Sequence, residues 1–194
     1  KDFDRDVHVI DGIIPDPSWP VYRAVDFGFH NPTAVLWIAV DYDDTWYVFD
    51  ELYVTETTTE TIAAQVKMKT GEKTRIIDTY GDPSAAQLIA DYHRLGFYIT
   101  PARRETGSSS EGWVESGINA ISERLKRSHN TGKPRLFIDA KCVNLIREME
   151  SYAWEDKKND RNDARTPKKD NDHAADGLRY FAVSYSGKIM EKTQ

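Results

Sequence analysis

Tyr22-Arg23-Ala24-Val25-Asp26-Phe27, a turn at Gly28/Asn31-Pro32, Thr33-Ala34-Val35-Leu36-Trp37-Ile38-Ala39-Val40, a turn from Asp41 to Thr45, and Trp46-Tyr47-Val48-Phe49-Asp50-Glu51-Leu52-Tyr53-Val54 follow one another without a break. β-Branched and aromatic residues fill the three runs, while Gly, Asn, Pro and Asp fill the gaps, the pattern of strands joined by short turns. Gaps this short join only antiparallel neighbours, because a parallel partner needs a crossover of about a dozen residues. The stretch therefore predicts a three-strand antiparallel meander.

Downstream the rhythm changes. Thr58 to Lys69 has helical character, Arg75-Ile76-Ile77-Asp78-Thr79-Tyr80 reads as a short strand, Pro83 to Leu95 as a helix whose first turn suits proline, and Phe97 to Thr100 as another strand. Strand, helix, strand implies parallel pairing through a right-handed crossover. The flexible loop Glu105 to Gly112 leads into an amphipathic helix through Ile118, Ile121 and Leu125; a strand at Arg135 to Ile138 and a helix from Cys142 to Tyr152 follow. No internal repeat is present. The expected fold is α/β, a mixed sheet of three antiparallel strands followed by parallel strands, flanked by helices.

The stretch Asp170 to Tyr185 reads as the closing helix. Asn171 or Asp172 can cap it, and Ala174, Leu178, Phe181 and Tyr185 make one apolar stripe. His173 and Asp176, three positions apart, are neighbours near its N-terminal end, where an imidazole and a carboxylate can share a cation. An acidic first turn also complements the helix dipole with no metal at all.

Composition bounds the rest. A chain of 194 residues, 39% apolar and 11% aromatic, suits one domain with one substantial core. The formal charge of -6 excludes a broadly basic coat, so contact with phosphates must be local. The single cysteine, Cys142, rules out an internal disulfide and fits a reducing compartment; nothing near it resembles an activating arrangement for a nucleophile. No run of 18 apolar residues and no secretory leader is seen, so neither a membrane partner nor export is expected. Residues 1–20, with Pro15, Pro17 and Pro20, read as a lead-in segment or linker, residues 21–187 as the domain and 188–194 as a tail; the first residue, Lys1, suggests a piece of something longer. The run Lys157 to Lys169 is the most basic in the chain. It is a solvated loop or, standing directly before His173, a phosphate-holding one.

Asp26 ends the first strand, and Asp82 follows the strand Arg75 to Tyr80 where Pro83 starts a helix. In an open α/β sheet, groups at the carboxyl ends of adjacent strands converge on one crevice. If those two strands pair in parallel, Asp26 and Asp82 become neighbours and the closing helix can bring Asp176 and His173 to them. Carboxylates so gathered repel unless divalent cations neutralise them, and hard oxygen ligands favour Mg²⁺ or Mn²⁺. Two such ions roughly 4 Å apart would clamp the attacking water and the leaving 3′ oxygen of a phosphodiester. Each acid also fits a plainer role: Asp26 can begin a turn and Asp82 can cap a helix. Asp78 competes by strand parity, and Glu51 reads as an edge or surface residue. His8, His30, His93 and His129 have no ligand spacing.

The meander, the switch to parallel pairing and the acids on the first strand, fourth strand and a late helix resemble the ribonuclease H-like superfamily. Val25-Asp26-Phe27-Gly28 with Asn31-Pro32-Thr33-Ala34, Gly81-Asp82-Pro83-Ser84, Cys142 to Trp154, and Asp172-His173-Ala174-Ala175-Asp176-Gly177-Leu178-Arg179-Tyr180, in that order, are similar to the C-terminal nuclease domain of tailed-bacteriophage terminase large subunits. That resemblance implies a metal-dependent endonuclease cutting concatemeric double-stranded DNA, with Asp26, Asp82 and Asp176 as ligands of two divalent cations and His173 assisting one site. It implies a packaging ATPase domain ahead of this one, and portal protein and small terminase subunit as partners. It further implies residence in the cytoplasm of an infected bacterial host, transiently at the procapsid portal, and absence from the mature virion. No phosphate loop is present, since Gly71-Glu72-Lys73-Thr74 only mimics its tail, so the motor is expected elsewhere. Arg103, Arg104, Lys157, Lys158, Arg161, Arg165, Lys168 and Lys169 are the expected phosphate contacts, which hold DNA without reading bases. Other ribonuclease H-like enzymes, resolvases and transposases among them, share the layout. An actin-like or sugar-kinase-like phosphotransferase shares Asp26-Phe27-Gly28 with Thr33 but needs a second domain and a second glycine-rich loop.

Overall fold

Asp26 and the strand that carries it, β2 (Val21–Asp26), sit inside a sheet rather than at its rim. The computed structural model describes residues 2–104, 109–128, 131–151 and 172–185. Among them, β2, β3 (Thr33–Val40) and β4 (Trp46–Val54) form the antiparallel meander, the last two within the bounds expected from sequence. β5 (Ile76–Gly81) pairs parallel with β2, and β6 (Thr100–Pro101) pairs parallel with β5. On the other side, β7 (Leu136–Asp139) pairs parallel with β4, and β1 (Val9–Ile10) pairs parallel with β7. The seven strands run in the order β1-β7-β4-β3-β2-β5-β6.

Period-two alternation sends neighbouring residues of β2 to opposite faces. Tyr22 and Ala24 join Leu36, Ile38 and Val48 beneath α4 (Ser110–Leu125), α5 (Val143–Ser151) and α6 (His173–Ser184). Val25, Val35 and Trp37 pack on the other face against α2 (Thr59–Thr70) and α3 (Ala86–Arg94). The stripe expected on the closing helix is the one buried: Ala174, Leu178 and Phe181 are fully covered, and Tyr185 packs against the same cluster. Leu178 and Phe181 each contribute about 2–3 kcal/mol by apolar burial. Together they fix α6 across β2, where a Cβ on Gly177 would only graze the Asp26 N and the Ala24 backbone at 3.8–3.9 Å.

Four details depart from the sequence reading. α3 begins at Ala86 rather than Pro83, because Asp82 Oδ1 accepts from Ser84 N (2.8 Å) and its carbonyl accepts from Ala85 N, making a turn where a helix was expected. β6 is two residues long: Phe97 and Ile99 are buried, but Ile99 N meets His93 Nε2 at 3.0 Å instead of a strand. α4 starts inside the expected loop, at Ser110, with Ser109 Oγ accepting from Gly112 N. The leading residues supply α1 (Arg5–His8) and the outer strand β1, with Phe3 and His8 buried.

Candidate active site

Parallel pairing of β2 with β5 puts Val25 opposite Gly81, so Asp26 and Asp82 stand side by side at the carboxyl ends of adjacent strands. α6 crosses the same end. His173 Nδ1 lies 2.9 Å from Asp26 Oδ2, and Tyr180 OH donates to Asp26 Oδ1 at 3.2 Å. One turn along the helix, Asp176 Oδ1 accepts from both Nε and Nη2 of Arg179, each at 3.0 Å. The four residues singled out in sequence are thus brought to one end of the sheet, with Tyr180 and Arg179 between them.

Burial sets the electrostatics. Asp26 is 9% exposed, and desolvation raises its pKa, with the charge of Asp82 adding to the shift and the His173 and Tyr180 hydrogen bonds opposing it. Desolvation likewise pushes Asp176 up to about 6; Asp172 and Asp26 reinforce this and Arg179 opposes it. The hydrogen bond to Asp26 raises His173 against its own desolvation. The acids feel one another as like charges across a partly dry pocket, the condition a bound cation relieves.

The donors fit a hard divalent cation in kind: carboxylate oxygens with one imidazole in reserve. In the arrangement observed, protein groups meet these charges instead. Both oxygens of Asp26 are engaged, one oxygen of Asp176 is taken by Arg179, and among the described residues no three His, Cys, Asp or Glu side chains cluster closely enough to hold one ion. A cation on Asp26 Oδ2 would replace the His173 hydrogen bond.

Several residues around the site had no role in the sequence reading. Glu148 of α5 is 1% exposed; it accepts from Tyr53 OH (2.7 Å) and from Ala175 N (2.9 Å), so it ties the first turn of α6 to α5 and β4. Its signal was a charge lying in the apolar stripe Leu145, Ile146, Met149. Arg179 is buried among aromatic rings, its Cζ 4.8 Å from the centroids of both Trp113 and Tyr180. Gly117 of α4 makes room for it, since a Cβ there would run into Arg179 Cγ.

The competitors resolve differently. Glu51 is neither an edge nor a free surface residue: β4 lies between β3 and β7, and its carboxylate accepts from Asn144 N (2.9 Å), Leu145 N (3.0 Å) and Asn144 Nδ2 (2.8 Å) at the start of α5. Asp78 accepts from Thr100 Oγ1 and Thr79 N and is paired in register with Tyr22, well before the strand end. Burial pushes the Cys142 thiol far up, away from reactivity. Arg103 and Arg104 are exposed beside the C-terminal end of α6, Arg103 N donating to Ser184 Oγ and Arg104 lying over Trp113. Lys157, Lys158, Arg161, Arg165, Lys168 and Lys169 lie outside the described residues, as does Asn171; Asp172 precedes α6 without a side-chain cap bond. No helix among the described residues is long and apolar enough to cross a membrane.

Comparison with known proteins agrees with this fold. The family model of the terminase RNaseH-like domain matches residues 23–184. The terminase large subunit of Escherichia phage T5 is 28% identical over 177 residues, 88% of this chain and 36% of that protein. The large terminase of the thermophilic bacteriophage D6E superposes with a TM-score of 0.74 at 26% identity, over 93% of this chain and 43% of that one. The P22 large terminase nuclease domain is alike in fold, with a TM-score of 0.75 at 21% identity over 93% of this chain and 89% of that domain. The chain spans less than half the length of the T5 and D6E proteins. From β2 to α6, meander, crossover and closing helix included, it belongs to the family of terminase ribonuclease H-like domains.

Proposed function

We propose that the chain is the nuclease domain of a phage DNA-packaging terminase large subunit, a divalent-cation-dependent endonuclease that cuts concatemeric double-stranded DNA with little sequence preference. The observation carrying this reading is the gathering of Asp26, Asp82, Asp176 and His173 at one end of the sheet, with Asp26 raised by burial and the charge of Asp82, and Asp176 raised by burial and the charges of Asp172 and Asp26. Acids whose pKa values are raised by burial and by one another's charge collect at functional sites, and here three acids face two cationic partners, Arg179 and His173. The nuclease of phage G20c, alike in fold alone at 12% identity and a TM-score of 0.58, is known with bound cobalt, which favours the same chemistry here.

Two Mg²⁺ or Mn²⁺ ions, when bound, supply a nucleophilic hydroxide near neutral pH and neutralise charge on the scissile phosphate and the leaving 3′ oxygen. Asp26, Asp82 and Asp176 would hold these ions, Asp26 standing between the other two acids. His173, hydrogen-bonded to Asp26, would complete or gate the site beside Asp176. Tyr180 holds Asp26 in rotamer through its 3.2 Å bond, and Arg179 does the same for Asp176. Arg103, Arg104 and the run Lys157 to Lys169 are assigned to DNA phosphates. The remaining expectations are partners: an ATPase domain, portal protein and small subunit, met in the cytoplasm of an infected host.

Plasmid nicking tests the reading. Cleavage should require Mg²⁺ or Mn²⁺ and fall to background in Asp26→Ala; unaltered cutting by that variant refutes the assignment. Comparing duplex DNA, branched DNA and an RNA–DNA hybrid separates a packaging nuclease from resolvases and hybrid-specific relatives.

A further inference from the structure

Arg23 stands where a hydrophobic residue belongs. It lies on the interior strand β2, on the same face as Val25, and its neighbours there are Val25, Trp37 and Phe97 of the cluster beneath α2 and α3. This is the face opposite Asp26 and α6. Arg23 Nε donates to Thr79 Oγ1 (3.0 Å), Nη1 donates to Thr70 Oγ1 (3.2 Å), and Cζ sits 4.7 Å from the centroid of the Phe97 ring. Among the described residues its partners are neutral hydroxyls and a ring, and no carboxylate pairs with it. Thr70 is already committed, since its oxygen also accepts from Trp37 Nε1 and donates to Val66 O.

A cation drawn into a protein face with no ionised acid beside it is costly, and here only the carbonyl end of α2, which finishes at Thr70, offsets part of that cost. Desolvation alone pulls the Arg23 guanidinium down to about 10, with no acid opposing it. The guanidinium carries five N–H donors, and the two bonds described use two. It also lines a cleft of about 540 Å³ between α2 and the turn Leu95–Phe97, a volume in the range of small-ligand sites. Lys67 stands at the same end of this cleft as Thr70, one helical turn away. The cleft's acid, Glu60, is ten residues before Thr70 on α2, roughly 15 Å along the helix axis, and fully exposed.

We propose that this cleft is an anion site, in which Arg23 and Lys67 take a phosphate group, free or as a small phosphate ester, with Phe97 closing one side. The planar fork of Arg23 suits two phosphate oxygens, and Lys67 adds a point charge at the mouth. The site is independent of the nuclease assignment, since it faces the other side of the sheet.

Thermal unfolding of the metal-free chain in sodium phosphate against sodium chloride at equal ionic strength tests it. The wild type should gain a few degrees in a saturable manner over millimolar phosphate, because an ion that binds only the folded state stabilises it. Lys67→Ala should weaken the saturation several-fold, and Arg23→Met should abolish it. Arg23→Lys, which keeps the charge and loses the fork, should fall between. Amide chemical shifts in the wild type give a second reading that needs no variant: inorganic phosphate should move Thr70, Gly71, Thr79 and Phe97. A nucleoside monophosphate that binds more tightly than phosphate identifies an ester as the ligand, and a short duplex that displaces phosphate from the same amides identifies the DNA backbone; each sustains the site. An equal phosphate effect in Arg23→Met and wild type, shifts confined to other residues, or no saturable effect in the wild type would each overturn it.

Discussion

At the residue scale the decisive pairing is Asp176 with Arg179. Removing the guanidinium leaves a buried carboxylate facing Asp26 and Asp172 with nothing to hold its charge, so its already raised pKa climbs further. In Arg179→Gln the acid limb of the nicking profile should move up by about one pH unit while DNA affinity at high pH stays near wild type. An unmoved limb would show that Arg179 serves packing alone. Gly117→Ala offers the same test from outside, because its new methyl displaces Arg179 without altering any charge. The gathering of the acids and His173 at one end of the sheet was legible in sequence because a parallel pair of strands and the start of a closing helix bring their ends together. Tyr180 and Arg179 were not, since an aromatic and a cation on a helix look the same whether they pack, meet water or hold a carboxylate. Arg103 and Arg104 carry their own expectation: neutralising both should make the salt slope of DNA binding shallower by about 1 for each phosphate that no longer meets a cation.

At the scale of the element, α6 is held by its apolar stripe and by one polar tie, Glu148 to Ala175 N and Tyr53 OH. Glu148→Ala strands the Ala175 N–H and the tyrosine hydroxyl in a buried place, and about 2–4 kcal/mol of stability should be lost in chemical denaturation. Tyr53→Phe, which leaves the Ala175 bond intact, should cost about 1 kcal/mol. The meander strands were readable almost to the residue because their alternation and turn chemistry agree. β1 was not, since two residues carry no period, and β6, expected over Phe97 to Thr100, pairs only at Thr100–Pro101. The helix start expected at Pro83 failed for a related reason: proline suits a first helical turn, but Asp82 satisfies the Ser84 N–H itself and closes a turn there first.

For the whole molecule, folding brings like charges together and leaves the chain sensitive to pH. Asp176 titrates near 6 in the folded state against 3.8 for the free group, so the folded chain binds its proton more readily than the unfolded one. Stability then rises as pH falls from above 6 toward 4, by on the order of 2–3 kcal/mol from this group. The raised His173 acts in the same direction, stabilising below its ordinary value of 6.5 and losing that contribution as pH climbs through its folded one. The metal-free protein should therefore melt several degrees higher at pH 5 than at pH 8, and millimolar Mn²⁺ should erase most of that difference by stabilising the alkaline form. A melting temperature that falls on acidification over this interval would contradict the electrostatics described.

Of the four groups at the crevice, Asp26 ends one strand and Asp82 directly follows another, both early in the chain, and the other two ride on a helix that comes some ninety residues after Asp82. On the proposed assignment, a growing polypeptide that has already completed its central strands holds only two of the four groups until the closing segment seats itself. On the same assignment, a ligand or neighbour able to lift that segment by a few ångströms would disarm the site by carrying Asp176 and His173 away from Asp26 and Asp82.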